Sequence, residues 1–150
     1  MQSVTIKNLE SALAGESMAH IKYRYFAKLA REQGFEDVAK HFEHTADQEI
    51  KHAWGHLELL VGRPDVKKCL ELAIEGETYE YTQMYPQFEQ IAIVEGNTLA
   101  AKEAREQAQE SREHAEEFKR VLKLAEKRFA ALKRVEQRHA EAYQLIWEAL

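Results

Sequence analysis

Two stretches, Asp47-Gln48-Glu49-Ile50-Lys51-His52-Ala53 and Arg134-Val135-Glu136-Gln137-Arg138-His139-Ala140, decide how this chain is read. Both contain Glu-x-x-His. Three residues apart on an α-helix, the two side chains leave adjacent turns of one face and can reach a common centre. Both motifs lie on lines that are otherwise largely apolar. The first line runs Val38, Phe42, Thr45, Glu49, His52, His56, Leu59, and the second Ala125, Phe129, Leu132, Glu136, His139, Tyr143, Ile146. Two further lines, Leu9 to Ala30 through Glu16 and Leu70 to Ile91 through Glu77 and Glu80, share that three-four spacing. Such stripes are the inward faces of helices in a bundle, and each carries ionisable groups near its middle.

The remainder of the chain fits helices. Its 150 residues are the size of one domain, and 45% are apolar and 31% charged. Six Gly and two Pro are too few for a sheet-and-turn architecture, and neither type occurs after Gly96. An all-α domain spanning 1–150 is expected, with helices over about 7–33, 36–61 and 67–95, the third kinked at Pro86. Beyond Asn97 no breaker occurs. Fifty continuous residues would make about 75 Å of helix, too long for a compact bundle, so a hidden break or an intersubunit arrangement is expected.

Several classes of function are disfavoured. A net charge of −5 argues against a general nucleic-acid binder. No apolar run approaches the length of a membrane span. The single cysteine, Cys69, can form neither an intrachain disulfide nor a four-cysteine metal site, and it fits a reducing compartment. Met1-Gln2-Ser3-Val4-Thr5 has neither a basic leader nor an apolar signal core, so a cytoplasmic location is expected.

An isolated carboxylate on a core seam would be driven neutral. Glu16, Glu49, Glu77, Glu80 and Glu136, with Glu110 nearby, are too many for that. Two divalent cations would balance four carboxylates. Glu from two helices and Glu-x-x-His from two others is the di-iron carboxylate pattern, and hard carboxylates with one imidazole per ion suit iron or manganese. The halves also echo each other: Ala14-Gly15-Glu16-Ser17 resembles Glu75-Gly76-Glu77-Thr78, and each half ends in a Glu-x-x-His.

The chain resembles the rubrerythrin family, specifically its short, sulerythrin-like members without a rubredoxin domain. Gly15-Glu16-Ser17-Met18-Ala19, Tyr23 to Ala27, Gly76-Glu77-Thr78-Tyr79-Glu80, Gln83-Met84-Tyr85-Pro86 and both Glu-x-x-His pairs carry the resemblance. It implies a ferritin-like four-helix bundle with a di-iron centre, manganese or a mixed pair being the variants, that reduces hydrogen peroxide to water and protects against oxidative stress. By the same resemblance, Glu49 and Glu136 bridge the ions. Glu16 is terminal on one, Glu77 and His139 are terminal on the other, and Glu80 and His52 alternate with redox state. Tyr23 and Tyr85 match tyrosines that hydrogen-bond ligands. Electrons come from an external rubredoxin-like or other donor protein, and a homodimer is expected.

The spacing departs from the pattern, because the interval from Glu77 to Glu136 is nearly twice that from Glu16 to Glu49. Counting from Gly96 without a gap puts the last histidine at His114 and the bridging position at Ser111, which cannot bridge two irons. Glu110 is one residue off, about 100° round the helix. The complete motif is therefore preferred at Glu136 and His139. That choice requires a helical insertion over about 98–123 between the third and last core helices, or helices exchanged between subunits. Competing readings are an oxygen-using di-iron oxidase or ferroxidase, a non-catalytic iron-binding or storage protein, and a structural module without metal. His20, one turn after Glu16, is read as a core or boundary residue.

Overall fold

In the computed structural model, which describes residues 3–149, every element is helical. Met1 and Gln2, part of the stretch read for a leader, lie outside the described residues. The elements are α1 (Val4–Glu32), α2 (Glu36–Val61), α3 (Val66–Tyr79), a π-helical segment (Glu80–Met84), α4 (Tyr85–Val94) and α5 (Thr98–Glu148). The expected all-α reading holds. Among the described residues, no helix is long and apolar enough to cross a membrane.

Local chemistry sets the boundaries. The side chains of Ser3, Asp65 and Asn97 accept from the backbone N–H groups of Ile6, Lys68 and Ala100 and so cap α1, α3 and α5. Gly34 and Gly96 adopt φ of 84° and 73° where chains leave helices, a conformation that a Cβ disfavours. Pro86 causes no simple kink. It has no N–H for the carbonyl four residues back, and the helix widens just before it. The Tyr85 N–H bonds the Glu80 carbonyl, five residues back, and the Thr82 hydroxyl donates to the Thr78 carbonyl at 2.6 Å.

The chain forms two compact units, one up to Arg63 and one from Pro64. The first is the α1–α2 hairpin. Its seam is lined by Ala27, Ala39, Ala46 and Ala53, all 2% exposed or less, so the two backbones approach closely. In the second unit, α3, the π segment and α4 run antiparallel to the first half of α5, which buries Ala101, Ala104, Ser111 and Ala115. Arg105 bonds Glu89 at 2.8 Å at one end of this pairing, and Lys67 meets Glu126 at 3.3 Å at the other.

Within the chain, two of the alternatives raised by the long last segment are corrected, the hidden break and the insertion. The helix after Asn97 has no break, and residues 98–123 are not looped out; they are the part of α5 that packs. The stretch Val66–Val94 covers an equal length of α5, roughly 43 Å. That cover ends near Glu126. Residues 128–149 are exposed throughout.

Substituting Ala46, which is 0% exposed, by Leu should destabilise the protein by about 1–3 kcal/mol through overpacking. Ala131→Leu, on the exposed stretch, should change stability by no more than about 0.5 kcal/mol. Urea denaturation followed by circular dichroism compares the two; equal effects would contradict this account of the seam.

Candidate metal centre

Within the first unit, the alanine-lined seam brings α1 and α2 close enough for their glutamates to meet. Glu16, Glu49 and His52 each offer a ligand atom, and these atoms lie within 4.8 Å of one another. His52 Nδ1 is 3.3 Å from Glu49 Oε2 and 3.9 Å from Glu16 Oε2. Across the seam the Glu16 and Glu49 carboxyls hydrogen-bond each other. Glu16 is pushed above the usual carboxylate value, first by its hydrogen bond to Glu49, then by burial and by the charge of Glu49. Glu49, accepting that bond and one from His52, is held below it. Two carboxylates in contact cannot both ionise cheaply, and a divalent cation would remove the conflict. One turn on, His20 Nδ1 lies 2.7 Å from the Ala46 carbonyl, to which it donates, as suits a boundary residue. Tyr23 packs its ring against Phe42, with centroids 5.9 Å apart, and against Phe26.

The second unit holds a matching group. His114 Nδ1 lies 3.5 Å from Glu77 Oε1, and the Ser111 hydroxyl donates to Glu80 Oε2 at 2.9 Å. The other Glu77 oxygen, Oε2, is buried without a hydrogen-bond partner. A buried carboxylate oxygen left unpaired is expensive, and a cation is the partner that fits its chemistry. Tyr85, at the end of the π segment, has its phenol pushed up by burial first and by the charges of Glu80 and Glu77 second. It therefore stays a protonated hydrogen-bond donor at neutral pH.

Glu136 and His139, preferred from the sequence, are not brought to Glu77 and Glu80. They lie on the exposed stretch of α5, about 37 Å along the helix from the turn that carries Ser111 and His114. The reason is the length of the cover described above. His114 does meet Glu77, and the ungapped count from Gly96 is the signal that finds it. Glu110, the other candidate, adds to the negative charge felt by Tyr85.

In metal-free protein, the raised Glu16 value makes a definite pH prediction. A folded-state carboxyl raised above its unfolded value contributes stability that is fully present below about pH 4.5 and lost as pH rises through the folded value. Glu16→Gln keeps a donor to Glu49 and removes that loss. Thermal melts of the two metal-free proteins between pH 4 and 8 should show the variant gaining on wild type as pH rises. A pH-independent difference would contradict the raised Glu16 carboxyl.

Comparison with known proteins places this arrangement in a family. The family profile described as Rubrerythrin matches residues 7–122, a span that includes His114 and stops short of Glu136 and His139. A putative rubrerythrin of Methanocaldococcus jannaschii is 33% identical over 81% of this chain and 71% of its own length. The rubrerythrin of Porphyromonas gingivalis is 35% identical over 80% of this chain and 66% of its own. Nigerythrin of Nitratidesulfovibrio vulgaris is 41% identical over 64% of this chain, which spans 54% of that protein's length. With the profile covering most of its length and its carboxylates and histidines grouped as described, the chain belongs to the rubrerythrin family.

Proposed function

We propose that this protein reduces hydrogen peroxide to water at a pair of iron ions, with electrons from a separate rubredoxin-like or other donor protein. The observation that carries the proposal is the matched donor inventory: Glu16, Glu49 and His52 in one hairpin, and Glu77, Glu80 and His114 in the other. Each set offers two carboxylates and one imidazole, the donor chemistry of a hard divalent ion such as iron or manganese. The unpaired Glu77 oxygen and the close contact of the Glu16 and Glu49 carboxyls support this reading, since a cation would satisfy both. An iron pair, when bound, would supply two electrons together, so that peroxide plus two protons gives two waters without a free radical.

The residues have distinct parts in this reading. Glu49, already in contact with Glu16 and His52, would hold an ion together with them. Glu16 would hold an ion in the first hairpin and Glu77 with His114 one in the second, His114 standing in the place that the motif alone assigns to His139. His52 would complete the first set and Glu80 the second. Tyr85, protonated and beside Glu77 and Glu80, donates toward the ligands and restrains them, and Tyr23 shapes the first hairpin through its aromatic contacts. The proposal includes a homodimer. Phe129, Leu132, Tyr143 and Ile146 form one stripe on α5 and are 51–74% exposed, an apolar face suited to a second copy.

The deciding measurement is stopped-flow oxidation of anaerobic, ferrous protein by peroxide and, separately, by oxygen. Peroxide should react at least tenfold faster, with two irons oxidised per chain. Faster reaction with oxygen would favour an oxidase or ferroxidase, and uptake well beyond two irons would favour storage. His114→Ala should reduce the stoichiometry below two and slow the peroxide reaction by at least tenfold. His139→Ala should leave both unchanged.

A further inference from the structure

The two hairpins repeat each other with one exception. In the first, Glu49 follows Glu16 across the turn and His52 follows Glu49 by three. In the second, the interval from Glu77 to Ser111 is the same to within one position, and His114 follows Ser111 by three. The histidines obey the repeat in space as well, His52 against Glu16 and Glu49, His114 against Glu77. The repeat therefore calls for a glutamate at 111, where the chain has a serine that is 4% exposed. The second hairpin has a carboxylate that the first lacks: Glu80 follows Glu77 by three, whereas Ala19 follows Glu16 by three.

These two departures touch. The Ser111 hydroxyl donates to Glu80 Oε2 at 2.9 Å. Serine is shorter than glutamate by a methylene and the carboxyl carbon, and the oxygen beside the space it leaves belongs to Glu80. We infer that Glu80 supplies, in the second hairpin, the carboxylate that Glu49 supplies in the first, and that Ser111 is the positioning residue that sets it there. The inference rests on the metal-binding reading above. It makes the two half-sets equal in donors but unlike in construction. Glu49 is placed by its own helix position, whereas Glu80 arrives from the start of the π segment and depends on a neighbour's hydroxyl. One hydrogen bond is a weaker constraint than a rotamer on the ligand's own helix turn, so the second half-set is the looser one.

The test is a titration of metal-free protein with Mn(II), with free ion counted by electron paramagnetic resonance. Wild type should take up two ions per chain with affinities at least tenfold apart. Ser111→Ala should weaken the second ion a further tenfold or so and leave the first unchanged. Glu80→Gln should reduce uptake to one, and the double variant Glu80→Gln/Ser111→Glu should recover two, which a merely structural role for Ser111 does not predict. Two ions at wild-type affinity in Glu80→Gln, an unchanged second ion in Ser111→Ala, or no recovery in a folded double variant would overturn the inference. Circular dichroism establishes folding; should the double variant not fold, Ser111→Ala decides. Wild type taking up no ion would instead remove the metal reading itself.

Discussion

Carboxylates facing one another across an alanine-lined seam are the constraint on which this protein depends. Ala27, Ala39, Ala46 and Ala53 let α1 and α2 approach until Glu16 and Glu49 touch, and their mutual hydrogen bond and the nearby His52 then ease the repulsion. Larger seam residues would separate the carboxylates and lower the repulsion, but they would also dismantle the donor cluster. The second hairpin follows the same rule. Ala101, Ala104 and Ala115 flank Ser111 and bring α5 against the helix that carries Glu77 and Glu80. Close packing by small residues and the meeting of charged groups are therefore one feature: the narrow seam is what brings carboxylates from two helices within reach of each other.

The π-helical segment belongs to the same arrangement. A proline in mid-helix ordinarily breaks or kinks it, at about 3 kcal/mol or more. Here the backbone widens over Glu80–Met84, so the mismatch is absorbed where Glu80 begins the segment and Tyr85 follows it. Widening by one residue shifts the helix face, and both side chains are re-aimed together. Such bulges occur often at functional sites. The phenol of Tyr85, kept protonated by burial and by two neighbouring glutamates, remains a donor in surroundings otherwise rich in acceptors.

Much can be read from the residues in order. Good helix formers and the lack of Gly and Pro after Gly96 specify the helices, and α2 begins and ends where the pattern places it. Spacing marks Glu16, Glu49, His52, Glu77 and Glu80, because a charged residue on an apolar stripe stands out against its neighbours. The stripe does not distinguish His114 from His139. Both are histidines on the same long helix, and the second carries the fuller motif. Motif completeness favours Glu136, but a motif is local and carries no information about which part of a helix finds a partner.

Tertiary structure decides that question by length. The partner that runs from Val66 to Val94 covers only its own length of α5, which takes in Ser111 and His114 and excludes Glu136 and His139. The bond between Ser111 and Glu80 also belongs to three dimensions, since the two are far apart in sequence and only the antiparallel pairing brings them to 2.9 Å. Helix propensity, caps and ligand types are properties of short segments and are written in the chain. Which ligand meets which depends on the register of two helices packed side by side, and that register is set by the turn at Gly96-Asn97 and the small residues along the seam.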